Sequence, residues 1–132
     1  MILVDSCVLI DIFDDDLEWK PWSLAQLDHA FPKGLAVNLI VYSELAGSFA
    51  SRQDLDRALE RGRLQVEPIP LDAGFLAARA FEQYRRNKGG QKAVLPDFFI
   101  GAHAQVLGCA ILTRDKRRFS TYFPTVSLIT PD

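Results

Sequence analysis

Short apolar runs are spaced along the chain between longer segments of helical periodicity. They are rich in β-branched and aliphatic side chains, as is typical of buried strands in a parallel sheet. The predicted strands are residues 2–4, 35–37, 64–69, 110–113 and 126–129. Pro68 lies in the third of these and has no amide hydrogen to donate, so we expect that strand at an edge of the sheet.

Apolar residues at spacings of three and four predict helices between these strands. The predicted helices are residues 6–13, 22–31, 39–49, 52–61, 71–84 and 96–107. Ser6 and Asn38 can cap the first and third helices, and Gly108 can end the last. Leu71 and Phe75 fall on the predicted buried face of the fifth helix. Strands that alternate with helices favour an α/β fold, with a parallel sheet between helices.

Length and composition indicate one ordinary water-soluble domain, residues 1–132. Hydrophobic residues make up 48% of the chain and charged residues 24%, and no apolar run approaches the roughly 18 residues of a membrane span. The N-terminus lacks the basic segment of a signal peptide. Cys7 and Cys109 lie in apolar runs, which favours reduced core thiols in a cytoplasmic protein.

The charge of the chain is distributed unevenly. Its net charge is −2, which argues against a general nucleic-acid binder. Residues 79–118 nevertheless carry nine basic residues against three acidic ones, a local excess of +6, while residues 1–18 carry six acids and no Lys or Arg. The basic segment could be a surface that contacts phosphates, or a solvated helix end and loop. Charge alone leaves both interpretations open.

Four acidic residues stand beside apolar runs, namely Asp5, Glu44, Asp97 and Asp115. Each is near a predicted strand end or in the first turns of a predicted helix. Ligands of parallel α/β sheets bind beyond the carboxyl ends of the strands, so Asp5 and Asp115 are expected at the same edge. Four converging carboxylates would repel one another, and a divalent cation such as Mg²⁺ or Mn²⁺, which takes hard oxygen ligands, would remove that conflict.

Each acid alone has a plainer interpretation. Asp5 and Asp115 fit turns at strand ends, and Glu44 fits an exposed helix position. Asp97 follows Pro96, and an acid beside a proline in the first turn is a common helix start. Only the combination of the four favours a metal site.

Other kinds of site have little support. His29 and His103 lack Cys or Glu partners at zinc-site spacing, and His103 is placed as a core histidine would be. The glycine-rich phosphate-binding motifs and the GxSxG nucleophile motif are absent. No histidine is placed by sequence to activate Cys7, which is therefore interpreted as a packing residue.

Three segments carry a family resemblance: "ILVDSCVLI", "NLIVYSELAG" and "LPDFFIGAHAQVLGCAILTRDKRRF". With them the chain resembles PIN-domain proteins, and most of all the toxin ribonucleases of bacterial and archaeal VapBC toxin–antitoxin pairs. The resemblance extends from residue 2 to about residue 129. It departs in one place: Asn38 stands where many relatives have Ser or Thr, and it remains a competent cap.

The resemblance implies a three-layer fold, with a parallel sheet in the order 3-2-1-4-5 flanked by helices. It implies an endoribonuclease dependent on Mg²⁺ or Mn²⁺, whose metal ligands, directly or through water, and catalytic residues would be Asp5, Glu44, Asp97 and Asp115. Ser6 and Thr113 would hold a carboxylate or a metal-bound water. Residues that would contact the RNA backbone are Arg85, Arg86, Lys88, Lys92, Arg114, Lys116, Arg117 and Arg118.

The resemblance also implies a homodimer and a cognate VapB-type antitoxin that silences the enzyme. Trp19, Trp22 and Phe31 lie where such partners often dock, although they fit ordinary core aromatics equally well. Two alternatives stay open: a PIN nuclease that acts in RNA processing or on DNA, and a non-catalytic PIN module that binds nucleic acid or protein. The number of metals, and whether Asp97 or Asp115 orients the attacking water, also stay open.

Overall fold

The computed structural model describes residues 1–87 and 95–131. Its strands are β1 (Ile2–Val4), β2 (Leu35–Val37), β3 (Leu64–Val66), β4 (Ala110–Leu112) and β5 (Leu128–Ile129). They form one sheet in the order β3-β2-β1-β4-β5, and every pair of neighbours is parallel. The predicted α/β fold and strand order are therefore confirmed. The third strand lies at an edge, as predicted, but it is shorter than predicted and ends at Val66, so Pro68 lies beyond it and not within it.

Helices connect the strands. They are α1 (Ser6–Phe13), α2 (Lys20–Ala30), α3 (Leu39–Leu45), α4 (Arg52–Arg61), α5 (Leu71–Asn87), α6 (Leu95–Leu107) and α7 (Arg117–Ser120). The third helix is shorter than predicted because the chain tightens into a 3₁₀ turn at Ala46–Ser48. The sequence pattern did not predict α7. No helix in these two described ranges is both long enough and apolar enough to cross a membrane.

The two central strands are completely shielded from solvent. Leu3 and Val4 of β1 and Ala36 and Val37 of β2 are all 0% exposed. A parallel sheet covered by helices on both faces buries both sides of each strand, which is why these segments are continuously apolar rather than alternating. Each fully buried aliphatic side chain contributes about 1.5–3 kcal/mol relative to an exposed one. This central layer fixes the strand ends that carry polar residues.

Helix α5 buries a face that differs in part from the one predicted. Phe81 and Tyr84 of the predicted face are partly buried against the apolar cluster between α5 and α6. Leu71 and Phe75 are 92% and 64% exposed, so their predicted burial was wrong. The side facing the protein carries small residues, namely Ala73, Ala77 and Ala80. Methyl side chains allow α5 to pack closely on α6, whose Phe98 and Ala102 belong to the same apolar cluster. Periodicity located a face, but the closeness of two helix backbones decided which face is buried.

Cap residues define where several helices begin and end. Asn38 caps α3, since its Oδ1 accepts a hydrogen bond from the Val41 amide at 3.0 Å. Gly108 ends α6 with a φ of +67°, a left-handed conformation that glycine adopts without strain. At α1 the cap is Asp5 rather than the predicted Ser6, because Asp5 Oδ1 accepts from the Ser6 amide at 2.8 Å. A predicted metal ligand thus also starts a helix.

Candidate active site at the carboxyl edge of the sheet

Polar residues follow three neighbouring strands directly. Asp5 comes after β1, Asn38 after β2 and Thr113 after β4, and all three are 0% exposed. Because the strands are parallel and adjacent, their carboxyl ends meet at one edge of the sheet. Buried polar groups are costly unless they are hydrogen-bonded. The edge is therefore a polar cluster supported by an apolar layer.

The Asp5 carboxylate accepts hydrogen bonds on both oxygens. Its Oδ1 is bound by the Ser6 amide, and its Oδ2 accepts from Thr113 Oγ1 at 2.7 Å and from Arg118 Nη1 at 3.0 Å. The thiol of Cys7 lies 3.6 Å from the same Oδ2. These donors satisfy a carboxylate that water does not reach.

Asp97 lies in the first turn of α6 and is only 5% exposed. The positive end of the helix macrodipole favours an acid at this position. Its Oδ1 accepts from Arg118 Nε at 3.0 Å, and Arg118 Nη2 binds the same oxygen. Burial opposes the charge of Arg118, but hydrogen bonds to Asp97 and attraction to Asp5 outweigh burial and raise the pKa of its guanidinium. One arginine thus bridges two buried carboxylates.

Glu44 is on α3 and its side chain is accessible to solvent. Its Oε1 accepts a hydrogen bond from Ser6 Oγ at 3.0 Å. Desolvation raises the pKa of Glu44, and the nearby charges of Asp5 and Asp97 raise it further, against the opposing effects of Ser6 and Arg118. The charges of Asp5 and Asp97 therefore act on Glu44 at this edge.

Asp115 occupies the outer part of the edge and is exposed. Its amide donates to Thr113 Oγ1 at 3.1 Å, and its Oδ1 accepts from the Arg117 amide at 3.1 Å. Thr113 therefore connects Asp115 to Asp5, because the same hydroxyl donates to the Asp5 carboxylate. In the structure Asp115 orients the start of α7.

The chemistry of these side chains suits a hard divalent cation. Mg²⁺ prefers carboxylate and water oxygens, and Asp5, Asp97 and Glu44 place three carboxylates within mutual electrostatic reach. Within residues 1–87 and 95–131, however, no three Asp, Glu, His or Cys side chains are arranged to hold a metal. The cation that lies between Asp5 and Asp97 in the structure is Arg118.

The predicted RNA-contacting residues fall into three groups. Arg85 and Arg86 are exposed at the end of α5, and Lys116 and Arg117 are exposed at the start of α7. Two others form ion pairs with acids: Arg118 with Asp5 and Asp97, and Arg114 with Asp11. Lys88 and Lys92 lie outside the described residues.

Sequence reasoning missed one buried polar cluster. Asp11 is 2% exposed, and Arg114 donates to its two oxygens at 2.7 and 2.9 Å. Ser23 Oγ donates to Asp11 Oδ2 at 2.9 Å, and the Arg114 guanidinium lies 5.0 Å from the Trp19 ring. The signal was present, since Asp11 interrupts the apolar run "VLIDIF". The predicted RNA contact Arg114 therefore binds the protein itself.

Cys7 and His103 are poorly suited to a direct part in catalysis. Burial, and to a lesser degree the Asp5 charge, raises the pKa of the Cys7 thiol to about 11, so it is not a ready thiolate nucleophile. His103 is 0% exposed, its Nδ1 lies 3.1 Å from Asn38 Nδ2, and burial lowers its pKa. Both side chains belong to the support of the site.

The fold and site can be compared with known proteins. A family model described as the PIN domain matches residues 2–123. The chain belongs to the PIN domain family. This match confirms the resemblance predicted from the three sequence segments. No curated protein sequence gives a significant match.

Several solved structures share the architecture. The chain is similar to VapBC2 from Rickettsia felis bound to a promoter DNA fragment, with a TM-score of 0.74 and 15% identity over 100% of both chains. It is similar to a toxin–antitoxin complex from Klebsiella pneumoniae, with a TM-score of 0.71 and 25% identity over 100% of this chain and 98% of that one. VapBC-1 from nontypeable Haemophilus influenzae has a TM-score of 0.72 and 20% identity over 98% of each chain.

Proposed function

We propose that this PIN protein is a Mg²⁺- or Mn²⁺-dependent endoribonuclease and the toxin of a type II toxin–antitoxin pair. The observation that carries the proposal is the cluster of Asp5, Asp97 and Glu44 at the carboxyl edge of the sheet. Two of these carboxylates are almost completely buried, which is costly for a protein that has no use for them. Membership of a nuclease family supports the same function.

In this proposal Asp5 and Asp97 hold the cation, and Glu44 and Asp115 contribute directly or through water. A bound divalent cation polarises a phosphoryl oxygen and lowers the pKa of water, which allows in-line hydrolysis. Thr113 fixes the orientation of Asp5, and Ser6 fixes that of Glu44, through their hydroxyl hydrogen bonds. Asp97 or Asp115 orients the attacking water and accepts its proton.

The exposed basic residues hold the substrate. Lys116 and Arg117 directly follow Asp115, so they would contact the RNA backbone beside the acids, and Arg85 and Arg86 would extend that contact. Such contacts give affinity and salt dependence rather than base selectivity. Hydrolysis by attack of water should leave 5′-phosphate and 3′-hydroxyl ends.

A VapB-type antitoxin is the proposed partner, and the toxin is proposed to act as a homodimer in the cytoplasm. The similar structures from Rickettsia felis and Haemophilus influenzae are VapBC proteins, which supports this assignment. Leu24 and Phe31 are 46% and 45% exposed and line a groove with Leu27 and Leu64. An apolar segment of a partner would shield these side chains from water.

The decisive experiment is cleavage of defined single-stranded RNA, tRNA and single-stranded DNA by the purified protein in Mg²⁺, in Mn²⁺ and in EDTA. We expect metal-dependent internal cuts in RNA, with 5′-phosphate ends. An Asp97→Asn preparation purified in parallel controls for contaminating nucleases. Equal cleavage by that variant would contradict the proposal, and cleavage of DNA alone would favour the alternative PIN nuclease.

The toxin assignment needs a separate test. Expression of the chain alone should arrest growth, and co-expression with a small reading frame encoded beside it should relieve the arrest and yield a co-purifying complex. Growth arrest that persists in the Asp97→Asn variant would contradict an arrest caused by RNA cleavage.

A further inference from the structure

Arg118 is a positively charged side chain that partly neutralises the proposed metal site. Asp5, Asp97 and Glu44 bring three negative charges to the edge, whereas Arg118 brings one positive charge. Counted over residues 1–87 and 95–131, the cluster therefore has fewer positive than negative charges even with the arginine in place. A site with this imbalance has reason to attract a further cation.

The arginine binds the oxygens that a metal would need. Its Nη1 is 3.0 Å from Asp5 Oδ2, its Nε is 3.0 Å from Asp97 Oδ1, and its Nη2 binds the same Asp97 oxygen. Asp5 Oδ2 also accepts from Thr113, while Asp5 Oδ1 accepts from the Ser6 amide. A divalent cation on these oxygens would meet the guanidinium at close range and be repelled by it.

The Arg118 side chain can also leave the site. Arg118 lies on α7, a helix of four residues, and its side chain is 23% exposed. Its three methylene groups can lie along apolar surface while the charged group moves into solvent, and its guanidinium already lies 5.6 Å from the Phe119 ring. Phe119 itself is 0% exposed and anchors the helix, so the side chain can move while α7 stays in place.

We propose that Arg118 is a built-in competitor of the divalent cation. It holds Asp5 and Asp97 together in the metal-free protein and leaves them when the metal binds, so it sets the metal concentration at which the site is loaded. The inference rests on the proposed function in one respect, since it takes Asp5 and Asp97 as metal ligands. Its consequence is a nuclease that stays folded and inactive at low metal concentration.

The first test is calorimetric titration of Mn²⁺ into metal-free protein. Arg118→Ala should bind Mn²⁺ about tenfold more tightly or better than wild type, because hydrogen bonds to charged groups no longer have to be broken. Arg117→Ala removes the same charge from an exposed neighbour and should stay within about threefold of wild type. Equal affinities of the two variants would overturn the proposal.

Loss of Arg118 leaves two buried carboxylates uncompensated, so the alanine variant should melt about 10 °C or more below wild type in EDTA and recover most of that loss in Mn²⁺. In case it does not fold, Arg118→Lys serves as the second variant. It keeps the charge without the forked donors, and its Mn²⁺ affinity should lie between those of wild type and Arg118→Ala. A lysine variant that binds no more tightly than wild type would contradict the proposal.

The wild-type protein gives an independent measurement. The Arg118 Nε–H signal, assigned by its loss in Arg118→Lys, should be shifted and protected in EDTA and should move towards the position of a solvent-exposed arginine when Mg²⁺ is added. If Mg²⁺ binds and RNA is cleaved while this signal stays unchanged, the competition is refuted and the proposed function stands. If neither wild type nor the Arg118 variants bind Mg²⁺ or Mn²⁺, both proposals fail.

Discussion

Two buried aspartates near the start of this chain are held by arginines from one short segment, and they differ in how completely they are neutralised. Among the described residues, Asp11 forms an ion pair with Arg114, and its oxygens accept hydrogen bonds from two guanidinium nitrogens and from Ser23. Asp5 shares Arg118 with Asp97, and Glu44 lies close to both. The first contact is balanced in charge, whereas the second keeps an excess of negative charge.

The charge-balanced Asp11–Arg114 pair is a structural ion pair. It joins α1 to the segment after β4, and Ser23 of α2 donates to the same aspartate. The Arg114 guanidinium also lies over the ring of Trp19, directly before α2. The unbalanced cluster has the features of a binding site, since its acids are stabilised only partly by the protein. Carboxylates that are buried and incompletely neutralised distinguish a site from a structural ion pair more clearly than burial does by itself.

Removal of one acid from each cluster should separate them most strongly. Asp97→Asn is expected to lower RNA cleavage about 1,000-fold or more, because a metal ligand supplies several kcal/mol of transition-state stabilisation. Asp11→Asn, assayed at a temperature at which circular dichroism shows it folded, should retain activity within about tenfold of wild type. Equal losses of RNA cleavage in the two variants would show that the two clusters do not differ in their importance for catalysis.

The Asp11–Arg114 pair is expected to matter for stability rather than for catalysis. Arg114→Met leaves the Asp11 carboxylate buried without its partner and should lower the free energy of unfolding by about 3 kcal/mol, measured by urea denaturation. The control is Arg117→Met, in which an exposed arginine changes in the same way and about 0.5 kcal/mol or less is expected. An Arg114→Met variant as stable as Arg117→Met would show that Arg114 is not a structural residue.

The hydroxyl that joins Asp5 to Asp115 should have a smaller effect. Thr113→Val keeps the shape of the side chain but removes the donor to Asp5 Oδ2 and the acceptor of the Asp115 amide. Cleavage is expected to fall about 10–100-fold, as for other residues that orient metal ligands. Thr113→Ser restores the hydroxyl and should recover most of the activity. A fully active valine variant would mean that the ligands need no such support.

The smallest effect concerns pH. The pKa of Glu44 is raised from 4.5 in the folded, metal-free protein, so the folded state binds more protons than the unfolded state just above that pH. Its contribution to stability is therefore present below pH 4.5 and is lost as pH rises through the folded pKa. Glu44→Gln should remove this loss, with a gain of about 0.5 kcal/mol or less for an accessible group.

The measurement is the difference between the urea midpoints of wild type and Glu44→Gln in EDTA at pH values from about 4 to 7, a range that includes the ordinary pKa of a glutamate. A difference that does not change with pH would show that the pKa of Glu44 is not raised in the folded protein.

The sequence by itself determined the layout of this protein. Apolar strand segments and helical periodicity were sufficient for the α/β class, and the resemblance gave the strand order, which puts β3 at an edge. The rule that ligands bind beyond the carboxyl ends of parallel strands brought Asp5 to the correct edge. These features depend on residue type and local spacing, which a sequence displays directly.

Only the tertiary structure decided which charges meet. Arg114 and Arg118 belong to the same basic segment, and the sequence does not distinguish their roles. In the fold, each lies against an aspartate more than 100 positions away. The buried face of α5 was also decided this way, by the close approach of α6 at Ala73 and Ala77. Contacts of this kind depend on which backbones approach each other across the fold, and neither periodicity nor composition contains that information.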